Sequence, residues 1–218
     1  MDVWYSSISV RNAMTRKSVL FAAALLASTS PVLAAPPDQP GHISPQPGTE
    51  NNTVSAVKDT AGHAVGVVSA EVTTSLQGFV TAAATSDMYE VEAAKIALQR
   101  SQDPQVKSFA GKMVNAHTQT TEQLKATLTK INATATAPSA LDDRRQGMID
   151  ELRGAKDSDF DNRYMSQQVD AHNEALTLMD RYAKDGDTPA VKSFAAKTRS
   201  AVQSHLGMAK KLLDKHNS

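Results

Sequence analysis

A chain of 218 residues with 23 Lys+Arg against 23 Asp+Glu, no cysteine and ten aromatic residues excludes several chemistries at once. Without Cys there is no disulfide, thiolate metal site or Cys nucleophile, and balanced charge without basic clustering argues against nucleic acid as a ligand, because phosphate binding needs concentrated Lys and Arg. Hydrophobic residues make up 40% of the chain, rich in Ala and poor in aromatics, which suits helices rather than a β-sandwich.

Near the N-terminus, Arg16 and Lys17 precede an apolar run from Val19 to Ala27, followed by Pro31, Val32, Leu33 and Ala34. This is the tripartite shape of a secretory leader, with Val32 and Ala34 supplying small residues before a cleavage point after Ala34. The run is about half of the ~20 residues that cross a bilayer, so residues 1–34 are expected to be removed rather than to anchor, leaving no membrane span. Residues 1–13 lengthen the usually compact basic segment, which makes Met14 an alternative start. Residues 35–218 carry 20 Lys+Arg and 22 Asp+Glu, and the slightly acidic product is expected in the periplasm or otherwise exported.

Residues 35–74 open with Pro36, Pro37, Pro40, Pro45 and Pro47 among Gly41 and Gly48, a composition that reads as a flexible tether. Within it, 53–74 is a marginal helix: Val54, Val57, Ala61 and Val65 recur at helical spacing while Gly62 and Gly66 weaken it. From 75 to 216 the apolar period is long and regular, and predicts helices over 75–102, 104–131, 158–184 and 189–216. Asp103-Pro104 and Thr188-Pro189 each place a capping residue before a proline at the first helical position. Pro138 and a short helix over 141–152 fill the long connection. The run Val106-Lys107-Ser108-Phe109-Ala110-Gly111-Lys112 returns as Val191-Lys192-Ser193-Phe194-Ala195-Ala196-Lys197, 85 residues later. Two antiparallel hairpins joined by one long crossover predict an all-α, ferritin-like four-helix bundle.

At about 100° per residue, each long helix turns one ionisable group into its apolar stripe. Glu90 shares a face with Phe79, Ala83, Ala94 and Ala97; His117 with Val106, Met113 and Leu124; His172 with Asp161, Met165, Gln168 and Met179; His205 with Phe194, Ala209 and Leu212. Antiparallel pairing brings Glu90 level with His117, and staggers His172 and His205 by about 6 Å. A buried carboxylate must be protonated, paired or metal-bound. Glu90, His117, His172 and His205 are therefore candidate ligands for one divalent ion such as zinc, with Asp161 and Gln168 as outer partners; the competing reading is a buried hydrogen-bonded network without a ligand. Di-iron sites of this fold need Glu-x-x-His on two helices, whereas Val114 and Val202 stand three residues before His117 and His205. Met113, Met165, Met179 and Met208 read as core filler rather than a copper site. Tyr164 is expected at a helix edge with its hydroxyl near water, and His63 and His216 in solvent.

The stretch Glu90-x-Glu92 to Leu98, the block Asp103-Pro104-x-Val106-Lys107-x-Phe109-Ala110, Met113-x-x-x-His117, Asp159-Phe160-Asp161-x-x-Tyr164-Met165, His172, and Phe194-Ala195 leading to His205-Leu206 together resemble a known family. It is the bacterial, ferritin-like domain of unknown function numbered forty-one forty-two, and the resemblance spans about 76–213. One departure is Ala116, where the family usually has Asp before the histidine. The resemblance implies a four-helix fold and export, and brings no established reaction. The reading is an exported domain of undetermined role, non-enzymatic, holding one divalent metal at mid-bundle. The alternatives are a redox or hydrolytic metalloenzyme on the same centre, and a structural or stress-protective interaction protein.

Overall fold

The computed structural model describes residues 52–218. The expected leader, the alternative start and the proline-rich part of the tether lie outside the described residues. Those described form helices joined by turns, with no strand: α1 (Asn52–Val72), α2 (Leu76–Arg100), α3 (Pro104–Lys130), α4 (Asp143–Gly154), α5 (Asp157–Asp185) and α6 (Pro189–His216). Helix α2 packs against α3 and α5, and α6 packs against α5 and α3. Helix α4 rests on α2 and α5, and α1 lies along α5.

The helix ends follow local chemistry. Ser75 accepts from the Gly78 amide at the start of α2, and Asp103 accepts from Gln105 at 2.6 Å in front of Pro104, satisfying donors that have no partner within the helix. Asp142 caps α4 through the Arg145 amide at 2.8 Å. Thr188 makes no side-chain cap before Pro189, so at α6 the proline acts alone. The neighbouring Asp187 instead caps another helix: its Oδ2 accepts from the Leu76 amide at 3.1 Å, while its Oδ1 accepts from the Tyr182 and Thr188 hydroxyls and its amide donates to Thr74. The α5–α6 turn thus clasps the α1–α2 junction.

The marginal helix in the tether is a 21-residue helix docked on α5. Gly66 faces the Glu174 carboxylate so closely that a β-carbon there would overlap it. Glycine at this position is a close-approach residue, and that need outweighs its propensity cost of about 1 kcal/mol. Glu174 in turn takes a two-pronged ion pair from Arg144 of α4 at 2.9 and 2.6 Å, with Arg145 at 3.4 Å. Arg100 ties the other end of α4 to α2: it donates to the carbonyls of Leu152, Arg153 and Ala155 and to Asp157, and its guanidinium lies 4.6 Å over the Phe160 ring. The connection before α4 is held by the Gln77 amide, which exchanges two hydrogen bonds with the Thr136 backbone.

The core is divided. One apolar cluster gathers Ala94, Val106, Phe109, Met113, Tyr164 and Met165; the other gathers Phe79, Leu124, Leu178, Met179, Phe194 and Val202. Along α3, α5 and α6 the three histidines of the central stripe fall between residues of these clusters. A polar layer therefore separates two apolar halves.

Candidate metal centre

His117 of α3, His172 of α5 and His205 of α6 meet at mid-height. Their ring centroids form a near-equilateral triangle with sides of 5.5, 5.8 and 5.6 Å. One nitrogen from each lies within 4.8 Å of one from each of the others. With metal–nitrogen bonds of about 2.0–2.1 Å, a tetrahedral centre would space its donor nitrogens by about 3.4 Å, so closing the triangle on an ion would draw the nitrogens together by up to about 1.4 Å.

Hydrogen bonding leaves the inward nitrogens free. His117 Nδ1 is 2.8 Å from Asp87 Oδ1, and the Thr121 hydroxyl donates to Asp87 Oδ2 at 2.9 Å. His172 Nδ1 is 2.8 Å from the Gln168 carbonyl, an acceptor-only group, so Nδ1 carries the proton and the Nε2 lone pair is exposed to the centre. His117 Nε2, His172 Nε2 and His205 Nδ1 are all buried without a hydrogen-bond partner. Buried polar atoms are paired in more than about nine cases in ten, and here three unpaired imidazole nitrogens share one place.

The electrostatics sort the three rings. Burial pushes His172 down to about 3, helped by the neighbouring His117 charge. Burial also takes His205 down to about 4, with His172 and His117 adding repulsion. At neutral pH both are free bases, the state a metal requires. For His117 burial pulls the same way, but the Asp87 hydrogen bond and the Glu90 and Asp87 charges outweigh it and raise the ring above the usual histidine range. Burial raises both Asp87 and Glu90 above ordinary carboxylates, with His117 opposing.

Glu90, expected from sequence as a fourth ligand, is buried but stands outside the three-histidine group. Its Oε1 is 3.5 Å from His172 Nδ1, the side of the ring facing away from the free lone pair, and its Oε2 has no partner. Gln168 lies one turn before His172, fully buried, with its side chain beside the Glu90 carboxyl, whose ionised form it favours. Asp161 lies eleven residues before His172 on the same helix, about 16 Å away at 1.5 Å per residue, and is not brought to the centre. Tyr164 corrects an expectation: it is fully buried, its ring is stacked on Phe160 and its hydroxyl has no partner. His63 and His216 are half-buried beside Asp170 and Asp103, at 3.5 and 3.7 Å. The residue that sequence reasoning missed is Asp87. The signal was available, since it precedes Glu90 by three positions and so shares the buried face of α2.

A cavity of about 770 Å³ opens between α3 and α6 and reaches the centre, where Asp87, His117 and His205 line its inner end. Ala116 forms part of its wall. No curated protein and no solved structure matches the chain. The family model described as Domain of unknown function (DUF4142) matches residues 64–212, from within α1 to within α6 and across every residue of the centre. The chain belongs to that family.

Proposed function

We propose that residues 75–216 are a ferritin-like four-helix bundle, exported by the leader at 1–34, that holds one divalent ion at His117, His172 and His205. The observation that carries this is the convergence of three buried, unpaired imidazole nitrogens from three helices. A register-fixing network, the competing reading, would bond the rings to one another or to nearby acceptors through their inward atoms, and these atoms have no such partner. Three imidazole nitrogen donors with no carboxylate among them suit zinc or another borderline divalent ion, which would displace the proton that Asp87 and Glu90 favour on His117. They do not suit a carboxylate-bridged iron pair. Asp87 fixes the His117 tautomer and Gln168 fixes that of His172, the outer-partner arrangement that orients metal-bound histidines. Glu90 supplies a nearby buried carboxyl without being a ligand.

The role that fits best is metal binding without turnover. A second reading, a hydrolytic or redox metalloenzyme, is favoured by the cavity that reaches His117 and His205, because three histidines with an open position are also the plan of catalytic zinc sites. Elemental mass spectrometry of untagged protein purified without chelator, beside a His117→Ala, His172→Ala double variant, tests the shared premise. Near-stoichiometric metal in the parent and none in a still-helical variant is expected. A parent that stays metal-free after exposure to Zn²⁺, Fe²⁺, Mn²⁺ and Cu²⁺ would sink it.

A further inference from the structure

The cavity between α3 and α6 has a polar inner end and, beyond it, an apolar floor between walls that carry Gln123, Thr127, Lys130, Ser193, Lys197 and Thr198. Its inner end carries Ser86, Asp87, His117 and His205; its other half is floored by Leu178, Met179, Phe194 and Ile131. Along α6 it extends from His205 to Ala190, and along α3 from Ala116 to Ile131, fifteen residues on each wall or about 22 Å. This is a channel for an elongated molecule. At about 770 Å³ it lies within the ordinary range of small-molecule sites, about 300–1,000 Å³.

Charge selects the kind of head group. Among the described residues that line the cavity, Asp87 is the one carboxylate, and both its oxygens are engaged by His117 and Thr121. Lys130 of α3 and Lys197 of α6 are exposed at the rim, one from each wall. A cleft with cations at its mouth and no free acid inside concentrates anions. A divalent ion at the inner end would add to that field and offer an open position to a carboxylate oxygen.

We propose that this cavity binds a single-chain fatty carboxylate, its head group at the three-histidine centre and its chain along the floor of Leu178, Met179 and Phe194. The inference rests on the metal reading and names the ligand class of the same centre. It also gives the core its sense: the polar layer takes the head, and the apolar half beside it takes the tail.

The test uses full-length mature protein loaded with cobalt(II), which takes the same nitrogen donors and reports its coordination in the visible spectrum. The loaded protein is titrated with acetate and with decanoate. Both are expected to change the cobalt spectrum, decanoate at a concentration at least about a hundredfold lower, because its methylenes leave water. Ala126→Trp and Ala201→Trp place bulk on exposed cavity-wall positions and leave the core untouched. They are expected to abolish the advantage of decanoate while acetate acts as before. Lys130→Glu with Lys197→Glu, about 20 and 12 Å along the helices from His117 and His205, is expected to slow decanoate uptake and leave its affinity within about twofold. Failure to take up cobalt would overturn the metal reading and this inference with it. Cobalt uptake with decanoate no better than acetate, or with decanoate unaffected by both Trp variants, would overturn this inference alone. Displacement of decanoate by an equal concentration of decyltrimethylammonium would also overturn it.

Discussion

At the scale of single residues, Asp87 shows how one buried side chain can fix the orientation of another. Its carboxylate holds His117 Nδ1 and is itself held by Thr121, so the ring can neither rotate nor change tautomer without breaking a buried bond. Asp87→Ala removes the acceptor and leaves Nδ1 buried and unpaired. Metal affinity should fall by about 10- to 100-fold, the usual cost of losing an outer partner. Equilibrium dialysis against a competing chelator measures it, with helical content by circular dichroism as the control. Asp87→Asn keeps an acceptor oxygen and should recover part of the loss. An unchanged affinity in both variants would mean that Asp87 serves packing alone.

The same scale shows what could be read from the chain and what could not. The helical angle placed Glu90, His117, His172 and His205 on inward faces, because a 100° step is a property of the backbone alone. Which atom of each side chain turns toward the centre depends on partners contributed by other helices. That is why Glu90 stands on the Nδ1 side of His172 while the free lone pair lies on the other. Tyr164 was misplaced for a related reason: its edge position on a single helix says nothing of Phe109 of α3, which packs edge-on against it.

Among the elements, the long helices and the Asp103-Pro104 boundary were legible because capping and period are local. Helix α1 was only half legible. Its glycines weaken an isolated helix, and the compensation is the Glu174 side chain on α5, which no local pattern announces. Gly66→Ala should therefore release α1 rather than strengthen it, despite alanine's higher propensity. Hydrogen exchange across 52–72 should rise severalfold, with exchange in α2, α3 and α6 unchanged. Faster exchange throughout the chain would show instead that α1 is integral to the core.

The α5–α6 turn offers a second test at this scale. Hydrogen bonds from Tyr182, Leu76 and Thr188 hold Asp187 below the usual carboxylate range. Its folded value lies below its unfolded one, so the unfolded chain takes up the proton first. The clasp is fully formed above about pH 4, the unfolded carboxylate value, and its contribution is lost as pH falls through the folded value. Asp187→Asn should lower the thermal midpoint at pH 7 and flatten its decline from pH 5 to pH 2.5. A variant whose acid profile matches the parent would rule the clasp out.

For the whole molecule, the split core explains why a centre of this kind can exist in a chain with so few aromatics. The apolar packing is concentrated in the two halves, so the layer between them is free of the demand to be hydrophobic. Among the described residues no helix is long and apolar enough to cross a membrane, and the apolar content is spent inside the fold, with Val65, Val68 and Val72 on α1 the main exposed exceptions.

The 85-residue repeat acquires a second meaning once the two hairpins are laid over each other. Phe79 then falls on Tyr164, Val106 on Val191, Phe109 on Phe194 and Ala110 on Ala195, and every one of these is buried. At the centre the correspondence fails each time: Asp87 falls on His172, Glu90 on Ala175, His117 on Val202 and Thr120 on His205. The two copies agree where they build walls and disagree where they build chemistry. A chain made of either hairpin twice over would keep the scaffold and lose the triangle, because the first would put Asp87 and Thr120 where His172 and His205 stand, and the second would put Val202 where His117 stands.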